Sequence, residues 1–275
     1  MGDTIKEMDG SARHRTLTWA VIGFVAFILL LLLSPLWPPS CLEKADVVGS
    51  AVCGRLPTHS LHFAGRQSPL CARCTGTFVG AILGFVGLLI LGKGKAAQMP
   101  PARALLLLVG FIIIMAIDGV NSYLSLLLGA PVLYEPHNTL RLLTGTLHGL
   151  ALSIIIFPIF NFTLWKEPDN KPALAGLRDL GLIVAVFAIP MVLIVQTEMA
   201  FLLYPVAIIS VLGVLTMLTV VNSLMIVIAM RREAQAVTMW DAALPIVLGF
   251  AATLVEIALI VFLRWQFSAA FGIPF

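Results

Sequence analysis

Charge is what this sequence has least of. Asp, Glu, Lys and Arg make up 11% of its 275 residues, against about 25% in an ordinary soluble domain. It has only four cysteines, too few for a disulfide scaffold but enough for one metal site or two bridges. Basic runs are absent, and so is any interleaving of basic with aromatic residues, which argues against a nucleic-acid partner. Strict apolar/polar alternation, the mark of a membrane barrel, is missing. No internal repeat of useful length stands out, so an inverted-repeat transporter is disfavoured.

What fills the chain is apolar sequence, 60% of all residues. Seven runs can be delimited: Leu17–Trp37, Thr75–Gly92, Arg103–Leu128, Thr139–Phe162, Leu180–Val195, Phe201–Met230 and Ala242–Leu263. Each spans or nearly spans a hydrocarbon core of about 30 Å. Only helices and closed barrels satisfy their own backbone groups in lipid. The expectation is an all-α polytopic membrane helix bundle, a single membrane domain of about seven transmembrane helices. The first run is too long for the apolar core of a secretory signal and is read as a retained span. The fifth is short, with Gln196-Thr197-Glu198 expected to turn the chain into the sixth.

Charge distribution suggests an orientation. With the N-terminus inside, one face carries Lys6, Arg13, Arg15, Lys93, Lys95, Arg103, Lys166, Lys171, Arg178, Arg231 and Arg232, 11 in all. The other carries Lys44, Arg55, Arg66, Arg73, Arg141 and Arg264, 6 in all. The positive-inside rule therefore favours a cytoplasmic N-terminus and an outer C-terminus. On this reading residues 1–16 are cytoplasmic and 38–74 form an extracytoplasmic Cys/His loop. Residues 75–163 hold the polar spans, and 180–263 complete the bundle.

The loop contains the densest chemistry. Cys53, His59, His62, Cys71 and Cys74 fall within 22 residues. On an oxidising face, thiols form disulfides unless a metal or a redox cycle holds them. Cys71 and Cys74 also stand at the expected start of the second span, where the helix dipole stabilises a thiolate and Arg73 adds a charge. Three cysteines and one histidine, His62 or His59, would suit tetrahedral zinc. The same thiols would serve a quinone-coupled thiol–disulfide oxidoreductase, or simply bridge the loop. Just beyond them, Gly76-x3-Gly80-x3-Gly84 is a small-residue seam that lets a neighbouring helix approach closely.

A second constellation lies in the next two spans. Asp118, Asn121, Ser122 and Ser125 share one helical face, and Asn138, Arg141, Gly145 and His148 share another. A charge inside a span is costly and usually faces a partner or cavity. Asp118 and Arg141 are the expected pair. Arg141 would hold a phosphate or carboxylate, Asp118 or His148 would move protons, and Asn121, Asn138 and Thr144 would line the pocket. Glu256 and Asn222 are isolated polar residues of the later spans.

These residues carry a resemblance. Cys53-x-Arg-x-Pro57-x-x-Ser60, Pro69-Leu-Cys71-Ala-Arg-Cys74-Thr-Gly76, Asp118-Gly119 and Asn138-x-x-Arg141-x-x-Thr144-Gly145 together resemble the signature of a prokaryotic membrane family described only as a domain of unknown function. The resemblance covers about residues 50 to 150 and implies a protein of the cytoplasmic (inner) membrane. The family commonly has His after its first cysteine, where this chain has Gly54, so His59 or His62 would have to stand in for it as a ligand.

The sequence thus points to an outward-facing metal site of Cys53, His62, Cys71 and Cys74. Beside it would lie an intramembrane Asp/Asn/Arg pocket for an anionic or lipid-linked ligand. The alternatives are the quinone-coupled oxidoreductase and a non-enzymatic complex subunit or transporter with structural disulfides. Whether the protein is an enzyme stays open.

Overall fold

Ser40 starts the described fold. Its hydroxyl accepts the Glu43 N–H at 3.2 Å, and Glu43 Oε2 accepts the Ser40 N–H at 3.2 Å. This reciprocal capping box satisfies two orphan amides and launches helix α1, Cys41–Val52. The structure is a computed structural model. It describes residues 40–271 and, before them, only Trp19, Ile22, Gly23, Ala26 and Ile28. The expected first span otherwise lies outside the described residues.

After α1 comes an antiparallel hairpin, β1 (Ser60–Phe63) and β2 (Arg66–Cys71). Ala64 and Gly65 turn it with φ of 50° and 79°, the two left-handed residues that a tight hairpin requires. β2 leads directly into α2, Ala72–Ile90. Then follow β3 (Ala96–Gln98), α3 (Ala102–Leu128), α4 (Asn138–Leu164) and β4 (Asp169–Pro172). The helical segment α5 covers Leu177–Val195, α6 covers Leu203–Ala229 and α7 covers Met239–Phe271. Six helices among the described residues, α2 to α7, are long and apolar enough to cross a membrane. The chain is a polytopic helical membrane protein, and α5 and α6 are separate crossings joined through the turn at Gln196, Thr197 and Glu198.

Two ends of the bundle can be told apart. At one end β3 pairs in parallel with β4, and Lys166 N–H donates to Ala236 O at 2.9 Å. The α2–α3, α4–α5 and α6–α7 connections therefore gather there. At the other end the hairpin packs through Leu61 and Phe63 against Leu142, Val192 and Val195. Arg264, late in α7, donates to Ser50 O and, at 2.9 Å, to Cys53 O. An even number of crossings from α2 to α7 brings the chain back to the cysteine end.

The close axis of the fold is α2 against α4. A Cβ added at Gly76 would strike Leu142 O, and one at Gly80 would strike Thr146 O. From the other side, Gly145 lies on Arg73 O and Gly149 on Thr77 O. The seam expected from the glycine spacing exists, and its partner is α4. Backbone-to-backbone approach of this kind substitutes dispersion for the hydrophobic drive that lipid cannot supply.

Candidate metal centre and the adjoining polar network

Cys53 ends α1, Cys71 is the N-cap of α2 and Cys74 stands in its first turn. Three separate pieces of local structure thereby converge, and the three sulfurs lie within 4.8 Å of one another. Cys53 is 5% exposed. It sits among Leu70, Val214 and Ile257, with Cys71 and Cys74 packed on the same cluster. Its sulfur accepts the Cys71 N–H at 3.2 Å and the Arg55 N–H at 3.4 Å. Arg55 has the φ of 50° that turns its amide back toward the sulfur.

This setting favours a thiolate. The Cys53 thiol is held well below the usual thiol range, first by the Cys71 thiol that donates to it and then by the Cys74 thiol, with the two amides adding. The Cys71 thiol is pushed up, because its proton is drawn to Cys53. All four cysteines carry free thiols, with Cys41 exposed and apart from the other three.

The donor set fits a soft or borderline metal. Tetrahedral zinc with Zn–S bonds of about 2.3 Å sets its sulfurs roughly 3.8 Å apart, inside the 4.8 Å that bounds the observed group. Amides aimed at a ligand sulfur are the outer-shell donors such sites use. His62 is not in this group: it lies on β1, where it is registered with Gln67 across the hairpin. His59 stands nearer the chemistry. Burial lowers its pKa first, then the guanidiniums of Arg141 and Arg73, while Cys53 and Asp118 oppose them.

Asp118 does not pair with Arg141. Its carboxylate accepts Arg73 Nε at 3.0 Å and Arg73 Nη2 at 2.5 Å, so the ion pair joins α3 to α2. The reason lies in the glycine seam. Gly145 brings α4 so close to the Arg73 backbone that the Arg73 side chain is directed across to α3. Arg73 therefore neutralises Asp118 instead of lending its charge to the neighbouring thiolates. Tyr134 Oη donates to the other carboxylate oxygen at 2.8 Å, and Thr144 Oγ1 lies 3.3 Å from Asp118 Oδ2. Burial, followed by the bond to Asp118, pushes the Tyr134 phenol up to about 12.

Arg141 is 5% exposed. Its Nη1 donates to Asn138 Oδ1 at 2.8 Å and its Nε to Ser122 Oγ at 3.4 Å. Among the described residues no carboxylate pairs with it. Asn138 in turn donates to Ser60 O at 3.1 Å, tying the network to the hairpin. Asn121 serves the α3–α4 connection, donating to Tyr134 O at 3.0 Å and accepting Leu133 N–H at 2.9 Å. His148 lies deeper, with Nδ1 3.5 Å from Thr77 Oγ1 at the α2–α4 seam. It joins none of the bonds around Asp118 and Arg141.

Asp118, Asn138, Arg141 and Thr144, expected in one pocket from their helical spacing, are brought together by the fold. Arg73 as the ion-pair partner, Tyr134 as a carboxylate donor and Arg264 as an anchor of Cys53 are not evident from helical spacing. The signal for Arg73 was present: it lies between the two cysteines, a position that must face away from a site the cysteines share.

Residues 53–155 match the family described as "Predicted membrane protein (DUF2085)". A protein of Methanothermobacter thermautotrophicus, described as uncharacterized, is 32% identical over 105 residues, covering 38% of this chain and 83% of that protein. Another, from Methanocaldococcus jannaschii and described the same way, is 28% identical over 120 residues, covering 44% of this chain and 70% of that protein. No solved structure matches the chain. The chain belongs to the DUF2085 family of membrane proteins, and the matched segment contains the three clustered cysteines, Arg73, Asp118 and Arg141.

Proposed function

We propose that the protein binds a zinc-type metal ion through Cys53, Cys71 and Cys74 and uses the adjoining Arg141 pocket to hold an anionic or lipid-linked ligand. The observation that carries this reading is the convergence of three sulfurs within 4.8 Å, with two backbone amides on one of them. Three protein ligands leave a fourth position open, the arrangement of sites that act on a ligand instead of only bracing a fold. A metal held there would supply Lewis-acid polarisation of a ligand oxygen. Among the described residues Arg141 is buried with neutral partners only, so an anion would complete its charge pairing. Asp118, already neutralised by Arg73, would position this arm of the pocket and hold the Tyr134 hydroxyl.

The charge asymmetry supports an outward-facing site in a cytoplasmic membrane. A quinone-coupled dithiol reaction would use the same sulfurs, with Cys71 and Cys74 as the exchanging pair.

Elemental analysis of the full chain purified in detergent decides between them. The metal reading expects about one zinc-type ion per chain, lost in Cys71→Ser. A chain without metal that exchanges electrons with a quinone, and stops doing so in Cys74→Ser, would replace it with the redox reading. The pocket is probed with inorganic phosphate by calorimetry, where Arg141→Gln should lower affinity at least tenfold. Equal affinity in the two proteins would remove the anion from the proposal.

A further inference from the structure

Residues 54–59 connect the end of α1 to the start of β1, and the two arms of the site meet at the two ends of this loop. Near its start, the Arg55 N–H donates to the Cys53 sulfur at 3.4 Å. Directly after it comes Ser60, 1% exposed and registered with Cys71 across the hairpin. The Ser60 carbonyl accepts the Asn138 amide at 3.1 Å, and Asn138 Oδ1 accepts Arg141 Nη1 at 2.8 Å. Arg55 therefore serves the sulfurs and Ser60 serves the guanidinium. One side chain, Gln67 of β2, joins these two residues.

Gln67 Nε2 donates to Arg55 O at 2.7 Å and to Ser60 Oγ at 2.9 Å. A carbonyl oxygen can only accept, which sets the nitrogen of the Gln67 amide on that side. The Ser60 hydroxyl gives its own proton to Leu56 O at 2.9 Å, so it too accepts from Gln67. Both N–H protons of the amide are thus used, one at each end of the loop. A side chain with a single donor would close only one of these bonds.

Arg55 is where such a clamp matters most. Its φ of 50° lies in the left-handed region, which a residue with a Cβ keeps only where its surroundings hold it. Gln67 holds its carbonyl, and Asp46 Oδ1 accepts its Nη2 at 2.8 Å. The Asp46 carboxylate is shared with Arg66, at 3.1 Å. Without Gln67 the backbone at Arg55 is released toward ordinary dihedrals, and its amide turns away from the Cys53 sulfur. Ser60 depends on Gln67 less, because Leu56 O, Asn138 and the pairing with Cys71 continue to hold it.

We propose that Gln67 is the positioning residue common to both arms of the site, an inference that rests on the metal-and-anion reading above. It touches neither metal nor ligand. Through Arg55 it keeps an amide on the Cys53 sulfur, and through Ser60 and Asn138 it steadies Arg141. Amide donors of this kind hold a ligand sulfur in place and tune its affinity for the ion.

Gln67→Met, which keeps the length of the side chain and removes both donors, tests this in the full chain purified in detergent. Zinc affinity is read by competition with a chelator, inorganic phosphate affinity by calorimetry, and stability by a thermal melt. Zinc affinity should fall by about tenfold or more, the scale for removing an outer-shell partner. Phosphate affinity should fall by about threefold, the scale of one net hydrogen bond, because Ser60 keeps its other partners. Should Gln67→Met fail to assemble, Gln67→Glu carries the same readouts, since it keeps length and polarity and also lacks both donors. A natural chain that binds zinc and phosphate, with a variant that melts lower yet binds both equally well, overturns the role of Gln67 alone. A natural chain that takes up neither zinc nor phosphate overturns the metal-and-anion reading and this proposal with it.

Discussion

At the scale of single residues, the distinction that matters is which charges are compensated. Asp118 is 1% exposed and is held by Arg73 and by the hydroxyls of Tyr134 and Thr144. Asp118→Asn would strand a largely buried guanidinium. The expected loss is about 3–5 kcal/mol of stability, the range for breaking one side of a buried pair. A thermal melt in detergent reads it, and adding Arg73→Gln should restore part of the loss; equal melts for the natural chain and Asp118→Asn would contradict the pairing. Tyr134 gives a pH signature. Its folded pKa is raised to about 12 from an ordinary 10, so protonation favours the fold. That contribution is fully present below pH 10 and disappears as pH rises toward 12. Ultraviolet titration should show one late tyrosinate component, absent in Tyr134→Phe. Stability should fall between pH 10 and 12 more steeply in the natural chain than in the variant.

Among the elements, the α2–α4 contact is the feature on which the site depends. Gly76, Gly80 and Gly84 of α2 meet α4, while Gly145 and Gly149 of α4 meet α2. There is no room for a side chain at Gly80 or Gly145, since the obstructing atoms are backbone. Overpacking a well-packed core costs about 1–3 kcal/mol, and here the helices must separate to admit any group. Gly145→Leu should therefore lower the melting temperature and also weaken metal binding at Cys74, the residue next to the Arg73 contact. An unperturbed metal affinity in a destabilised Gly145→Leu would show that the seam is only structural.

Much of this was legible in the sequence, because spans follow from length and hydropathy, and the glycine seam from its spacing of four. The bundle and the grouping of Cys53 with Cys71 and Cys74 follow from pattern, whereas the short fifth run leaves its separation from the sixth open, and the turn at Gln196–Glu198 settles it. The partner of Asp118 does not follow from pattern. Arg141 lies across a short connection and Arg73 is 45 residues away, so proximity in the chain favoured the wrong arginine. Only packing of α4 onto α2 decides between them. His62 lies outside the group of three sulfurs: hairpin register places alternate residues on opposite faces, and loop composition does not reveal that register.

For the whole molecule, the end carrying the cysteines also carries the α3–α4 connection and Arg264, and the other end gathers β3, β4 and Ala236. Of the described Lys and Arg, eight stand toward the second end and six toward the cysteine end, and the orientation we propose makes the second end cytoplasmic. In a Cys41→Ser background, which removes the exposed native thiol, a cysteine introduced at Lys93 should resist a membrane-impermeant thiol reagent added outside intact cells and react after permeabilisation. Labelling from outside would invert the orientation and place the metal centre in a reducing compartment.

The central claim is that three thiolates hold a metal whose fourth position is open to ligand. X-ray absorption at the edge of the metal carried by the purified full chain tests it most directly. The account predicts three sulfurs at about 2.3 Å and one nitrogen or oxygen at about 2.0–2.2 Å, with the light-atom shell changing when phosphate is added. A shell without sulfur, or a protein with no metal edge to measure, would contradict it.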